Sequence, residues 1–271
     1  MTLPALPPAF EWMHASWGPG LRCLPLAAIA PHVFSTRHLA VLTPEGECEL
    51  AAAVQADRVA MVTQVHGRAV VVVRGGESAF PAGNRPEADV LVSNAPDTAV
   101  AVRAADCTPI LIADTETGAV AAVHAGWRGT AAGAAVAAVE ALGREFGARP
   151  EHLVAAIGPA IGPCCYQVGP ELVDAFAAAG HERHLIARWF STPPPPRGSR
   201  EQPVLRLDIA GANRDQLVLA GLFEERVHVV GLCTAMHLDV LTSFRAEREQ
   251  SARLAAAIRA RGAQSRSGPT R

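Results

Sequence analysis

The sequence predicts an α+β protein: mixed β-sheets with helices on the outside, folded as a single domain. Strand-like runs dominate the first half with few helices between them, so the regular alternation of a doubly wound sheet or a TIM barrel is missing. Helical, alanine-rich runs gather later, and neither flank of the proline-rich stretch at 191–203 carries an obvious core of its own. The composition, 49% hydrophobic against 18% charged over 271 residues, is that of a compact chain able to bury a core without disulfides.

The first thirty residues, rich in proline, read as an irregular N-terminal segment, and the domain proper as 31–262. "HVFSTR" (32–37) reads as a short strand. "RVAMVTQVHG" (58–67) and "AVVVVRG" (69–75) are β-branched runs parted by a turn at His66-Gly67-Arg68. Further strands are expected at 88–94, 99–107, 109–114 and 118–126, the last apolar enough for burial on both faces. "TAAGAAVAAVEALGREFG" (130–147) reads as one helix, with Thr130 as its cap and Gly147 as its end. A strand and a glycine-proline loop follow over 152–163, then a helix over 170–180. The run 191–203 reads as a surface loop. Beyond it come a strand (204–208), an amphipathic helix (209–221) and a strand (226–231). "SARLAAAIRARG" (251–262) suits helix and strand equally, and 263–271 is expected to be a disordered tail.

Charge and cysteine content narrow the function classes. The net charge of −2 gives no electrostatic footprint for nucleic acid. The chain has no lysine, which removes Schiff-base and P-loop lysine chemistry. Six cysteines without a CxxC pair are not the framework of a small secreted domain. No basic n-region opens the sequence and no long apolar run crosses it, so a cytoplasmic location without a membrane span is expected.

Three apolar strands end in metal-type side chains: His66 in "TQVHG", Cys107 in "AADC" and His124 in "AAVHAGWRG". No local spacing rule joins them, but strand ends are rigid places from which a site can be assembled. Two imidazoles and a thiolate would hold zinc and leave a fourth position for water, whose pKa a zinc ion lowers to ~7. The same residue types also fit a thiol hydrolase, with Cys107 as nucleophile, His124 as base and Asp106 or Asp114 as orienter. For each side chain alone, a packing role is the plain alternative. Arg37, Arg128 and Arg245 are candidate oxyanion sites, Arg128 foremost because it precedes the helix start. "GPAIGPCCYQVG" (158–169) holds adjacent Cys164 and Cys165, which read as loop packing or soft ligands, and the chain's single tyrosine, Tyr166.

"TQVHG", "AADCTPILIAD", "AVAAVHAGWRGT", "IGPAIGPCCYQVG", "LDIAGANRDQL" and the later "CT" and "SFR" occur in this order. Over roughly residues 32–250 they resemble the YfiH-like laccase-domain family, known also as multicopper polyphenol oxidase, purine nucleoside phosphorylase or peptidoglycan editing factor. The resemblance implies a CNF/YfiH-like, cysteine-hydrolase-type α+β fold. It implies one zinc per chain on His66, Cys107 and His124, with copper as the other candidate metal. It implies phosphorolysis of adenosine, inosine and methylthioadenosine, with deamination of adenosine beside it. Cys107 and Asp106 are then the catalytic candidates, and Arg37, Arg128 and Arg245 the substrate and phosphate candidates. The partners expected are a purine nucleoside and phosphate, with no nucleic acid or membrane, and a monomer as the working expectation for assembly. Editing of peptidoglycan precursors by hydrolysis, copper-dependent oxidation of phenols, and an inactive binding module are the alternatives. Multicopper sites usually need HxH pairs, which this sequence lacks. The chain departs from the family pattern after "STR": "HLAVLTPEGECELAAAV" stands where relatives carry a glycine-rich "GG-V-S" and an "NLG" element.

Overall fold

A computed structural model describes residues 3–75, 80, 83–193 and 203–261. Most of the proline-rich run and the whole 263–271 tail lie outside the described residues. In chain order the strands are β1 (Phe10–Ala15), β2 (Gly18–Cys23), β3 (His32–Phe34), β4 (Arg58–Ala60), β5 (Val70–Val73), β6 (Val90–Ser93), β7 (Thr98–Ala104), β8 (Thr108–Asp114), β9 (Val120–Ala125), β10 (Leu153–Ile157), β11 (Phe190–Ser191), β12 (Arg206–Leu207), β13 (Val227–Val229) and β14 (Leu254–Arg259). The helices are α1 (Leu24–Ala27), α2 (Pro44–Ala53), α3 (Trp127–Ala132), α4 (Ala134–Phe146), α5 (Glu171–Ala178), α6 (Arg183–Trp189), α7 (Ile209–Leu219) and α8 (Phe244–Glu247).

Two six-stranded mixed sheets carry the fold, in the orders β1-β2-β3-β14-β7-β4 and β13-β10-β8-β9-β6-β5. Alternation along the strands explains how they stack. On β7, Val100 and Val102 join a core shared with Leu91 of β6, Leu111 of β8 and Ala122 of β9 from the other sheet. The intervening Ala99 and Ala101 point the other way, against Leu50 and Ala51 of α2. On β8, Leu111 and Ala113 face the shared core, while Ile110 and Ile112 meet Ala135, Ala138 and Leu142 of α4. Period-two alternation thus gives each central strand two apolar faces, one for the opposite sheet and one for helices. Each fully buried Leu, Ile or Val contributes about 1.5–3 kcal/mol relative to exposure. The result is a helix–sheet–sheet–helix stack, the outer-helix α+β arrangement the sequence predicts.

The N-terminal segment is not irregular. β1 and β2 form an antiparallel hairpin with Phe10 opposite Cys23 and Ala15 opposite Gly18. Only one of its prolines, Pro19, falls within the two strands, opposite His14 beside the turn; the others precede β1 or follow β2 and so leave the pairing intact. Cys23 N–H donates to His32 Nε2 at 2.9 Å, tying the hairpin to β3. The ambiguous tail segment is β14, a central strand between β3 and β7. The helix expected at 130–147 is two helices, α3 and α4. Gly133 at φ +79° separates them, closing α3 and opening α4 in the left-handed region that glycine enters without strain. Thr130 therefore caps nothing. It is buried inside α3, and its hydroxyl accepts from Asn213 Nδ2 of α7 at 2.9 Å. Gly147 ends α4 as the sequence suggests, at φ +70°. Among the described residues no helix is long and apolar enough to cross a membrane.

Candidate active site

β7 and β8 are joined by the three-residue turn Ala105-Asp106-Cys107. The turn is so tight that Asp106 sits at φ +84°, an unfavourable value for a residue with a Cβ. Two hydrogen bonds hold it there: Thr234 Oγ1 donates to Asp106 Oδ1 and Arg245 N–H to Oδ2, both at 2.6 Å. Next to it, Cys107 is presented at the start of β8, an interior strand of the sheet. On the neighbouring strand β9, His124 lies opposite Pro109, which sets its ring beside Cys107. His66 comes from the β4–β5 loop, also at positive φ (+62°). The ligand atoms of His66, Cys107 and His124 lie within 4.8 Å of one another, and the two imidazole rings meet edge to face at 5.0 Å.

Asp89, just ahead of β6, organises this cluster and escaped the sequence reading. Its carboxylate is fully buried. It accepts backbone N–H bonds from Val65 (3.2 Å), His66 (3.0 Å) and Gly67 (2.6 Å), which fold the loop that carries His66. It also pairs with Nδ1 of His124 at 2.8 Å, leaving Nε2 for the cluster. A carboxylate behind a histidine in this way fixes its orientation and raises its basicity as a metal ligand. The signal available in the sequence was one acid directly preceding a buried apolar strand.

The electrostatics follow from these contacts. Burial pushes the Cys107 thiol up, but hydrogen bonds to His124 and His66 outweigh it and bring the thiol down to about 7. Burial also opposes charge on His124, yet Asp89 and Cys107 raise its imidazolium to about 9. Neither Asp106 nor Asp114 orients His124, contrary to the hydrolase arrangement drawn from sequence. Asp106 is held as described, and Asp114 accepts from Thr117 Oγ1 at 2.6 Å in the β8–β9 turn. Asp89 has that place.

The cluster opens onto two cavities. The larger, about 540 Å³, is lined by His66, Cys107 and His124 with Gln64, Arg103 and Arg253. Leu42 and Phe244, both exposed apolar side chains, form its rim. Leu42 belongs to the segment that departs from the family pattern, so that departure lies at the rim of the larger cavity. The smaller, about 160 Å³, is lined by His66, Asp106, Cys107, Trp127, Arg128, Tyr166 and Arg245 among others. Two guanidinium groups stack on its aromatic walls, Arg128 at 4.5 Å from the Trp127 ring centroid and Arg245 at 5.3 Å from that of Tyr166. Arg128 lies within the first turn of α3 rather than before the helix. Arg37 lines neither cavity. Its guanidinium bonds the Leu238 carbonyl and pairs with Glu247 at 3.0 Å, a structural role that explains why it is not brought to the site. Arg103 and Arg253, which the sequence reading passed over, stand in the larger cavity instead.

Residues 38–261 match the family model described as multi-copper polyphenol oxidoreductase laccase. The chain is 34% identical over 261 residues to a purine nucleoside phosphorylase of Deinococcus radiodurans, covering 89% of this chain and 93% of that one. It is 35% identical over 173 residues to the adenosine deaminase RL5 from an unknown prokaryotic organism, covering 62% of each. Among solved structures it is similar to YlmD from Geobacillus stearothermophilus, with a TM-score of 0.76 at 27% identity over 94% of this chain and all (100%) of that one.

Proposed function

The chain belongs to the multi-copper polyphenol oxidoreductase laccase family, and from that premise we propose that it is a metal-dependent purine nucleoside phosphorylase that also deaminates adenosine. One observation carries the reading: a His66–Cys107–His124 cluster, backed by Asp89, stands between a small cavity bearing two guanidinium groups and a larger one.

The donor set fits zinc. Two nitrogens and one thiolate are the borderline ligands zinc prefers, three of them leave an open position, and Asp89 behind His124 supplies the outer hydrogen bond. Zinc held there would supply Lewis acidity and a water acidic enough to ionise near neutral pH. The chain's own groups do the rest. Arg128 and Arg245 bind phosphate in the small cavity and aim an oxygen at the anomeric carbon of a nucleoside in the larger one. As the glycosidic bond breaks, its electrons pass to the purine. Asp106 keeps lone pairs beyond the two that Thr234 and Arg245 occupy, so it can hold or return a proton at its oxygens. The copper ion named in the family description would compete for the same three ligands. The reading takes the protein as acting on small molecules in the cytoplasm, without nucleic acid.

Incubation of the zinc-loaded protein with adenosine, with and without phosphate, followed by chromatography, tests this. Adenine formed only with phosphate and inosine formed in both tubes are expected, and Cys107→Ala is expected to abolish both. Neither product from the loaded protein would sink the proposal. The alignment Cys107–His124–Asp89 supports one second reading, a thiol hydrolase such as an editor of cell-wall precursors. A chelator separates the two, because a thiol hydrolase stays active once the metal is stripped.

A further inference from the structure

A second group of metal-type side chains lies away from the site. Cys164 and Cys165 sit on the tight turn after β10, where Cys165 N–H and Tyr166 N–H both donate to the Gly162 carbonyl. Cys233 comes from the segment after β13, which bridges Ala160. The three sulfurs lie within 4.8 Å of one another, all three cysteines are free, and Gly162 N–H points at Cys233 Sγ at 3.2 Å. No histidine or carboxylate belongs to the group. Beside it, the Arg206 guanidinium donates to the carbonyls of Pro163 and Cys164, and its buried Nε has no partner among the described residues.

We propose that Cys164, Cys165 and Cys233 form a second metal site, distinct from the His66–Cys107–His124 centre, that takes a single monovalent copper ion in trigonal thiolate coordination. Soft sulfur selects monovalent copper, which is content with three ligands, whereas structural zinc asks for four. With metal–sulfur bonds of ~2.3 Å, the sulfurs of a trigonal site lie ~4 Å apart, inside the 4.8 Å that bounds the three sulfurs here. Each thiol releases its proton to solvent as its sulfur binds. Three thiolates on a singly charged ion leave negative charge, and Arg206 stands where it offsets that charge. Bound copper would fasten the Gly162–Gln167 turn to Cys233. Those two segments carry Tyr166 and Thr234, so the ion would stiffen one wall of the active site from outside it.

The test is anaerobic. Reduced protein, its first site preloaded with zinc, is titrated with monovalent copper against a bathocuproine chelator. The wild-type chain is expected to retain a single equivalent, with a near-ultraviolet sulfur-to-copper band and three sulfur neighbours by X-ray absorption. Cys164→Ser and Cys165→Ser, whose side chains are not fully buried, are expected to lose that equivalent while keeping the wild-type thermal midpoint. Cys48→Ser, at an exposed cysteine elsewhere, is expected to retain it. Equal copper retention by Cys164→Ser and wild type overturns the proposal, as does no retention by wild type. A copper ion with nitrogen neighbours, displaced onto the first site, overturns it as well. None of these outcomes depends on turnover, so the proposal and the phosphorylase reading stand or fall separately.

Discussion

His66, Cys107 and His124 converge from strand ends and one carboxylate-tied loop, whereas Cys164, Cys165 and Cys233 meet on two loops joined at an isolated bridge. In the first cluster, Asp89 binds the His66 N–H and His124 Nδ1, and both imidazoles stand beside the sulfur. In the second, thiol faces thiol. The contrast shows how the same element, cysteine sulfur, is prepared for different work. Imidazoles around Cys107 hold its thiol down at about 7, while burial and the neighbouring thiols push Cys164 up to about 12. A thiolate is available in one place near neutral pH, and in the other only when a cation draws it out.

The largest expected effect tests that contrast directly. In metal-free protein, labelling by iodoacetamide reports the thiolate fraction. A lowered pKa keeps the thiolate to lower pH, so labelling of Cys107 should fall only as pH drops through about 7. Cys164, raised to about 12, should still be climbing at the alkaline limit of stability. At pH near 8 labelling of Cys107 should be close to its plateau while that of Cys164 is still rising, read by mass spectrometry of each peptide. Similar pH profiles for the two cysteines would remove the contrast.

Asp89→Asn comes next. It keeps the shape but removes the charge behind His124 and weakens the acceptor for three backbone N–H groups. Zinc affinity should fall about 10–100-fold, as for other outer carboxylates, measured by competition with a chromophoric chelator. Copper retention at the cysteine cluster should be unchanged, since Asp89 has no part in it. Unchanged zinc affinity would mean that Asp89 only folds the loop.

The glycines beside the two clusters give a smaller, purely steric contrast. A Cβ on Gly126 would lie 2.8 Å from Cys107 Sγ and 3.1 Å from His66 Cδ2. The backbone there, at φ −72° and ψ 176°, suits alanine, so no strain confuses the outcome. Gly126→Ala should weaken zinc binding roughly tenfold by pushing two ligands apart, an effect of the size seen when supporting contacts of a metal site are lost. A Cβ on Gly162 would instead stand 3.3 Å from Cys233 Cβ, 3.4 Å from Cys164 Sγ and 3.6 Å from Cys233 Sγ, a looser fit that a few tenths of an ångström relieves. Gly162→Ala should therefore leave copper retention close to that of the wild type. Equal effects of the two substitutions on their own metals would show that crowding is not what distinguishes the sites.

The legibility of the sequence follows the same line. Strand ends with His66, Cys107 and His124 stand out because apolar runs stop at polar side chains, and family motifs join them. The stacked sheets are legible for the same reason, through Val100, Val102, Leu111 and Ile112 and their neighbours. Asp89 is not legible, because its partners at 65–67 and 124 are brought to it only by the pairing of β5, β6 and β9. Arg37 looks like Arg128 in sequence; only the position of Glu247 decides that one is structural. The N-terminal hairpin is hidden by prolines that flank its strands, with Pro19 alone inside them. The division of α3 from α4 hangs on a single left-handed glycine in an otherwise uniform alanine run. The cysteine cluster is half legible: Cys164-Cys165 is visible, while Cys233 arrives through the bridge to Ala160.

The smallest expected effect falls where the segments that carry the two clusters meet. Thr234 follows Cys233 in the chain, and its hydroxyl donates to Asp106, the neighbour of Cys107. That bond helps keep Asp106 at φ +84°, and with it the turn that presents the thiol. Thr234→Val preserves volume and branching but removes the donor, a change of roughly 1.5 kcal/mol for a bond to a carboxylate. kcat/KM for adenosine phosphorolysis should fall roughly tenfold, mostly in kcat, because Arg245 N–H still holds the other Asp106 oxygen and the guanidinium groups are untouched. If Thr234 acts by positioning Asp106, KM should stay near the wild-type value while kcat falls, and Thr234→Ser, which keeps the hydroxyl, should restore kcat. An unchanged kcat with a lower thermal midpoint would reduce Thr234 to a packing residue. The two clusters would then be neighbours in the chain without being coupled in function.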